Sequence, residues 1–180
     1  MLTLSVVLSE GFDEEAESFV PMKTFELEME HSLVSLSKWE RFFKKPFLSD
    51  KEKSPEETVW YVKAMCLATE IPPEVFSKLS QENVDAINAY ITDPMTATTF
   101  RQIPGQKPNR EIMTSEVLYY YMIALNIPFE CQYWHLNSLL TLIKVCNQKN
   151  APAKKIPKRE ALERQRELNR QRKEQLGTSG

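Results

Sequence analysis

Glu30–Leu48, EHSLVSLSKWERFFKKPFL, is the stretch on which the reading of the fold turns. Just ahead of it, Thr24–Glu30 (TFELEME) alternates Phe25, Leu27 and Met29 with Glu26, Glu28 and Glu30. That period of two puts apolar side chains on one face of a strand and carboxylates on the other. From Ser32 the period lengthens: Leu33, Leu36, Trp39 or Glu40, and Phe43 recur every three or four residues, the spacing of one helix face, until Pro46 stops it. A strand therefore runs into a short helix with an aromatic end. The stretch holds no catalytic group and reads as an interaction scaffold.

Upstream, Thr3–Leu8 supplies a second alternating segment, so the chain opens as a hairpin or small ribbon whose long acidic loop holds Gly11 and Pro21. Two strands alone are marginal in water, so they must pack on helices or pair with another copy. Downstream, Ser54, Pro55 and Glu57 form a capping box with proline at the first helical position. They predict a helix from Pro55 to about Glu70, ended by Pro72-Pro73. A third helix is predicted over Ser80–Ile91, with Val84, Ile87 and Ile91 beside Tyr90, and a long loop over Asp93–Arg110. Glu111–Asn126 restores helical spacing, with Thr114 as a cap. Pro128 then opens the most hydrophobic helix, reaching about Asn147.

After Asn150 the composition changes to a basic, proline-containing linker and a nearly all-polar segment, Lys158–Leu176, predicted to be a solvent-exposed helix. The expected fold is mainly α: about five to six helices, a small N-terminal β-hairpin and an extended basic C-terminal helix or tail. The divisions are 1–30 (acidic hairpin), 31–150 (helical body) and 151–180 (basic linker and tail).

At 180 residues with 42% apolar side chains, the chain is able to bury a core without staples. Cys66, Cys131 and Cys146 are widely spaced and odd in number, which predicts reduced thiols. His31 and His135 have no companion ligands at metal-binding spacing. Met1–Leu8 is apolar but lacks a basic flank and runs into acidic residues, so it is not read as a secretion signal. No apolar run approaches the roughly 20 residues that span a bilayer. The net charge of −2 hides a polarity. Residues 1–30 hold eight acids against Lys23, residues 31–153 balance, and residues 154–180 hold nine bases against four glutamates. Such ends attract one another within a chain or between copies, and salt weakens that attraction.

Cys131 and His135 stand four apart, with Glu130 adjacent, and would share one face of a regular helix. A thiol and imidazole there lack an oxyanion hole, so a packed cysteine and a hydrogen-bonded histidine are the expected roles. No phosphate loop, nucleophile elbow, HExxH or dinucleotide fingerprint occurs. Catalytic, metal and cofactor residues are accordingly expected to be none.

The tail's arginines suit nucleic-acid phosphates, yet they alternate with Glu160, Glu163, Glu167 and Glu174 and have no aromatic neighbour for base stacking. A protein partner is favoured over nucleic acid. Trp39, Phe43, Trp134, Leu136, Leu140 and Ile143 are expected in the core. Trp60-Tyr61 and Tyr119-Tyr120-Tyr121 are unable to point inward together from regular helices. The partner-binding candidates are Trp60, Tyr61, Tyr119, Tyr120, Arg159, Arg164, Arg166, Arg170 and Arg172.

EHSLVSLSKWERFFKKPFL, DPMTATTF (93–100), SEVLYYYMIALNIPFECQYWHLNSLLTLIKVCNQKNAPAKK (115–155) and the closing LNRQRKEQLGTSG resemble a group of tailed-bacteriophage proteins described as tail assembly chaperones, encoded beside the tape measure protein. The likeness covers nearly the whole chain. Relatives often carry an arginine after WHLN where this chain has Ser138, which weakens a basic patch there. The resemblance implies a non-enzymatic helper in the host cytoplasm. It would coat the apolar stripes of the long helical tape measure protein, act as a homo-oligomer and help recruit tail tube protein, with no membrane involved. The alternatives are a structural virion protein, such as a head or tail connector, and a nucleic-acid-binding accessory protein.

Overall fold

The computed structural model describes residues 1–13, 17–49, 51–100, 112–150 and 158–177; for Asp13, residues 158–161 and Arg164 only the backbone is described. Two strands, β1 (Leu2–Asp13) and β2 (Ser18–Met29), are followed by α1 (Leu33–Phe43), α2 (Pro55–Met65), α3 (Glu74–Ser77), α4 (Gln81–Thr92) and α5 (Ser115–Ala124). A 3-10 turn (Phe129–Tyr133), α6 (Leu136–Asn150) and α7 (Lys158–Leu176) complete the order. The fold is mainly α, as expected. Two compact units are formed, Met1–Asn147 and Gln148–Gly180. The hairpin read as a segment of its own, residues 1–30, is packed into the same unit as the helices of the body.

β1 and β2 pair antiparallel from Leu2↔Met29 to Asp13↔Ser18, with register irregularities between Val7 and Glu10. The strands run further than Thr3–Leu8 and Thr24–Met29, straight through the expected loop. Pro21 pairs with Glu10 beside a register irregularity, where a strand tolerates a missing N–H. The alternation reads as expected at the base of the ribbon: Leu4, Val6, Leu27 and Met29 are buried.

Ser32 caps α1 in a reciprocal box with Ser35, and Lys44 closes the helix in the left-handed region at φ 55°. Its inner face, Leu33, Leu36 and Trp39, is buried. α2 begins on the expected Ser54–Glu57 box but stops at Met65, short of Glu70. There the chain turns extended and pairs with the outer edge of β2: Glu30 N–H donates to the Met65 carbonyl at 2.9 Å, and Leu67 N–H to that of Glu28 at 3.0 Å. Satisfying an edge strand's backbone groups outweighs a further helical turn.

The helix expected from Pro128 to Asn147 is interrupted for a similar reason. A 3-10 turn occupies Phe129–Tyr133, Trp134 is extended, and His135 bridges Ser32, with Leu136 N–H donating to the His31 carbonyl at 2.7 Å. That break turns Trp134 outward, 49% exposed, in contrast to the core position expected of it. Trp39, Leu136 and Ile143 are core as expected, whereas Phe43 and Leu140 are only partly buried against it. The predicted loop lies partly outside the described residues, and α5 starts at Ser115, directly after the expected cap Thr114.

Candidate functional site

Two surfaces adjoin along α1, which is packed between α2 on one side and α5 with the 3-10 turn on the other. α1 sorts its residues sharply. Its lone carboxylate, Glu40, is buried, while Lys38, Arg41 and Phe42, then Lys44 and Lys45 just past the helix, are exposed. Phe42 stacks on Trp60 of α2, centroids 4.7 Å apart and planes 24° from parallel. Such a stack shields one aromatic face and leaves the other to solvent. Arg41, Lys44 and Lys45 line a surface notch of about 350 Å³ with Thr114 and Glu116. Lys45 is held by Glu57 at 2.6 Å. That contact comes first among the causes that hold the Glu57 carboxyl below its ordinary value.

α5 supplies the second surface. SEVLYYYMIA is apolar on nearly every side, yet the helix buries only Ser115, Leu118 and Met122. A helix that is apolar all round belongs inside a protein or against a partner. Here Tyr120 and Ile123 stand 64% and 62% exposed, and Phe129 and Tyr133 of the 3-10 turn and Trp134 just after it are exposed as well. Tyr119 ties helix to turn: its hydroxyl donates to Gln132 Oε1 at 2.9 Å, and its ring lies 6.5 Å from that of Phe129. Burial pushes the Tyr119 phenol up, while the nearby Arg41 opposes the shift.

Of the residues expected at a partner surface, Trp60 and Tyr119 are half-buried and Tyr120 is exposed. Tyr61 is a correction. It is 3% exposed, with its hydroxyl 2.6 Å from His31 Nδ1 and its ring against Phe47. A buried phenol needs a partner, and the paired imidazole fixes it in the core. Arg166, Arg170 and Arg172 are exposed on α7, where Arg170 pairs with Glu167 at 2.8 Å. The side chains of Arg159 and Arg164 lie outside the described residues.

The buried polar groups form a network around that phenol. His135 Nδ1 accepts the N–H of Asn137 at 3.3 Å, so Nε2 carries the proton and donates to the Tyr90 carbonyl at 3.0 Å. His31 lies against His135, centroids 5.0 Å apart. Burial, then the neighbouring His135, lowers His31 to about 4, against a smaller opposing pull from Glu30. Tyr90 donates to Glu30 Oε1 at 2.6 Å.

No family model, curated protein or solved structure matches this chain. Its site is therefore read from chemistry alone. Cys131 and His135 sit on separate elements, and backbone groups engage both imidazole nitrogens. Burial raises the Cys131 thiol, as does Glu130, which disfavours the thiolate. Among the described residues no three His, Cys, Asp or Glu side chains converge on a metal-sized site, and no described helix is long and apolar enough to cross a membrane.

The sequence reading passed over Ile123, Phe129 and Tyr133, and it kept Arg41 and Phe42 off the partner list. The signal for α5 was its lack of a polar face. The signal for α1 was that its cations fall opposite Leu33, Leu36 and Trp39.

Proposed function

We propose that this chain is a non-enzymatic tail assembly chaperone of a tailed bacteriophage, which binds the tape measure protein and keeps it soluble in the host cytoplasm until tail tube protein surrounds it. The observation that carries the reading is the open side of α5. Tyr120 and Ile123, with Phe129, Tyr133 and Trp134 from the turn that follows, are half- to two-thirds-exposed apolar side chains on a well-packed body, suited to the apolar stripe of a helical client. Rigid aromatic side chains supply contact area at low entropic cost. The resemblance of its long sequence motifs to those of phage assembly chaperones points the same way. α7 serves in this reading as an extended, basic, hydrated arm: Leu162, Leu168 and Leu176 are all exposed among its polar residues, and its cations meet acidic surface on a neighbour.

Co-expression tests the proposal. The tape measure protein should be recovered soluble and in complex with this chain, and aggregated without it. Equal solubility in both cases, with no complex isolated at low salt, would reject the chaperone reading in favour of a structural virion component.

A further inference from the structure

The tip of the hairpin is apolar, and among the described residues nothing covers it. The core holds only the base of the ribbon, through Leu4, Val6, Leu27 and Met29. Phe12, Phe19 and Met22 are 58%, 70% and 72% exposed. Phe12 and Phe19 are paired across the strands with ring centroids 5.4 Å apart. Met22 lies across Gly11, close enough that a Cβ there would fall 2.8 Å from Met22 Cγ. Successive residues of a strand face opposite sides, so the tip is apolar on both. Around it Glu10 and Glu17 are exposed, and the first basic side chain of the sequence is Lys23.

The solvent face of α1 is the complement. Four cations, Lys38, Arg41, Lys44 and Lys45, are exposed about Phe42, with Glu116 at the margin of the notch that Arg41, Lys44 and Lys45 line. Glu57 engages Lys45, whereas Lys38, Arg41 and Lys44 make no ion pair within 4 Å among the described residues. An acidic, phenylalanine-tipped ribbon and a basic, phenylalanine-centred face are thus both open in one molecule.

We infer that the hairpin tip of one copy docks on the α1 face of the next, with Phe12 and Phe19 against the Phe42–Trp60 stack and Glu10 and Glu17 against Lys38, Arg41 and Lys44. α7 is the weaker acceptor: its Arg170 is already held by Glu167 and Glu174, and it has no aromatic side chain. A nucleic acid on α1 would use the cations but leave the apolar tip without a partner, whereas one occupant, a second copy, accounts for both surfaces. Because donor and acceptor patches differ, the contact is heterologous and propagates into a ring or a filament. This association is independent of what the open side of α5 binds, so it is tested on the purified chain alone.

Sedimentation velocity of the full chain at low and high salt is the experiment, with thermal melts to check that each variant is folded. The wild type should associate with rising concentration at low salt and dissociate as salt is added. Lys38→Glu with Arg41→Glu, Glu10→Lys with Glu17→Lys, and Phe12→Ser with Phe19→Ser should each weaken association by about tenfold or more. Combining the two charge reversals in one chain should recover most of the loss, which a mere disturbance of either surface would not do. The inference is overturned by a wild type that stays monomeric at low salt, or by tip variants that associate like the wild type. A combined reversal no better than the single ones overturns it as well. So does tip-independent binding of a single-stranded oligonucleotide that Lys38→Glu with Arg41→Glu abolishes.

Discussion

Glu40 Oε2 accepts the backbone N–H of Ser115 at 2.7 Å, across 75 positions of sequence, while its other oxygen accepts the N–H of Phe47 at 2.8 Å. One buried carboxylate thus joins α1, the segment after it and the first turn of α5, where the helix dipole favours negative charge. Glu40→Gln keeps the shape but aims an amide NH₂ at one of two N–H donors. It should lower unfolding stability by about 1–3 kcal/mol, measured by urea denaturation. A change below about 0.5 kcal/mol would mean that the carboxylate does not hold α5 in place.

His31 sets a pH dependence. Its folded value of about 4 lies below the ordinary 6.5, so between these values the unfolded chain binds more protons and stability rises with pH. The full contribution is present above about 6.5 and is lost progressively toward 4, on the order of 3 kcal/mol in all. The upper part of that window is clear of Glu57, whose carboxyl titrates below 4.5. Urea midpoints at pH 7 and pH 5 should differ in the wild type and converge in His31→Gln. An unchanged pH slope in the variant would assign the effect to another group.

Tyr61→Phe removes the hydroxyl that meets His31 and lies 3.4 Å from Ser35 Oγ, and should cost about 1–2 kcal/mol. Tyr120→Phe, altering an exposed side chain, should change stability by less than about 0.5 kcal/mol. Equal effects would place the two phenols in the same environment.

What was legible in the sequence was local. The Ser54–Glu57 cap, the Thr114 cap and the alternation of Phe25, Leu27 and Met29 each depend on residues within a turn or a strand of one another. What was not legible depended on distant pairing. α2 ends early because residues 65–67 pair with β2, and the helix after Pro128 breaks because His135 bridges Ser32; no local period records either bond. The misplacement of Tyr61 has the same origin. Trp60 and Tyr61 are alike in sequence, and the partners that hold Tyr61 inside, His31 30 positions away and Phe47, are distant from it along the chain. The cationic face of α1 was written in its period of 3.6, but that Phe42 lies on it stacked against Trp60 required α2 to be in place.

The same distinction separates two leucines of α6. Leu139 is fully buried, while Leu140 is only partly so. Leu139→Ala should lose about 2–5 kcal/mol and Leu140→Ala distinctly less, read from urea midpoints on the two variants. The reverse order would mean that α6 is rotated about its axis.

The central claim is that the open side of α5 receives an apolar helical client, and the most direct measurement is capture of the co-expressed tape measure protein by Tyr120→Ser with Ile123→Ser. Both side chains are more than half exposed, so the variant should melt at the wild-type temperature within a few degrees. It should nevertheless lose most of the captured client. Capture at the wild-type level by a variant with an unchanged melting temperature would contradict the account.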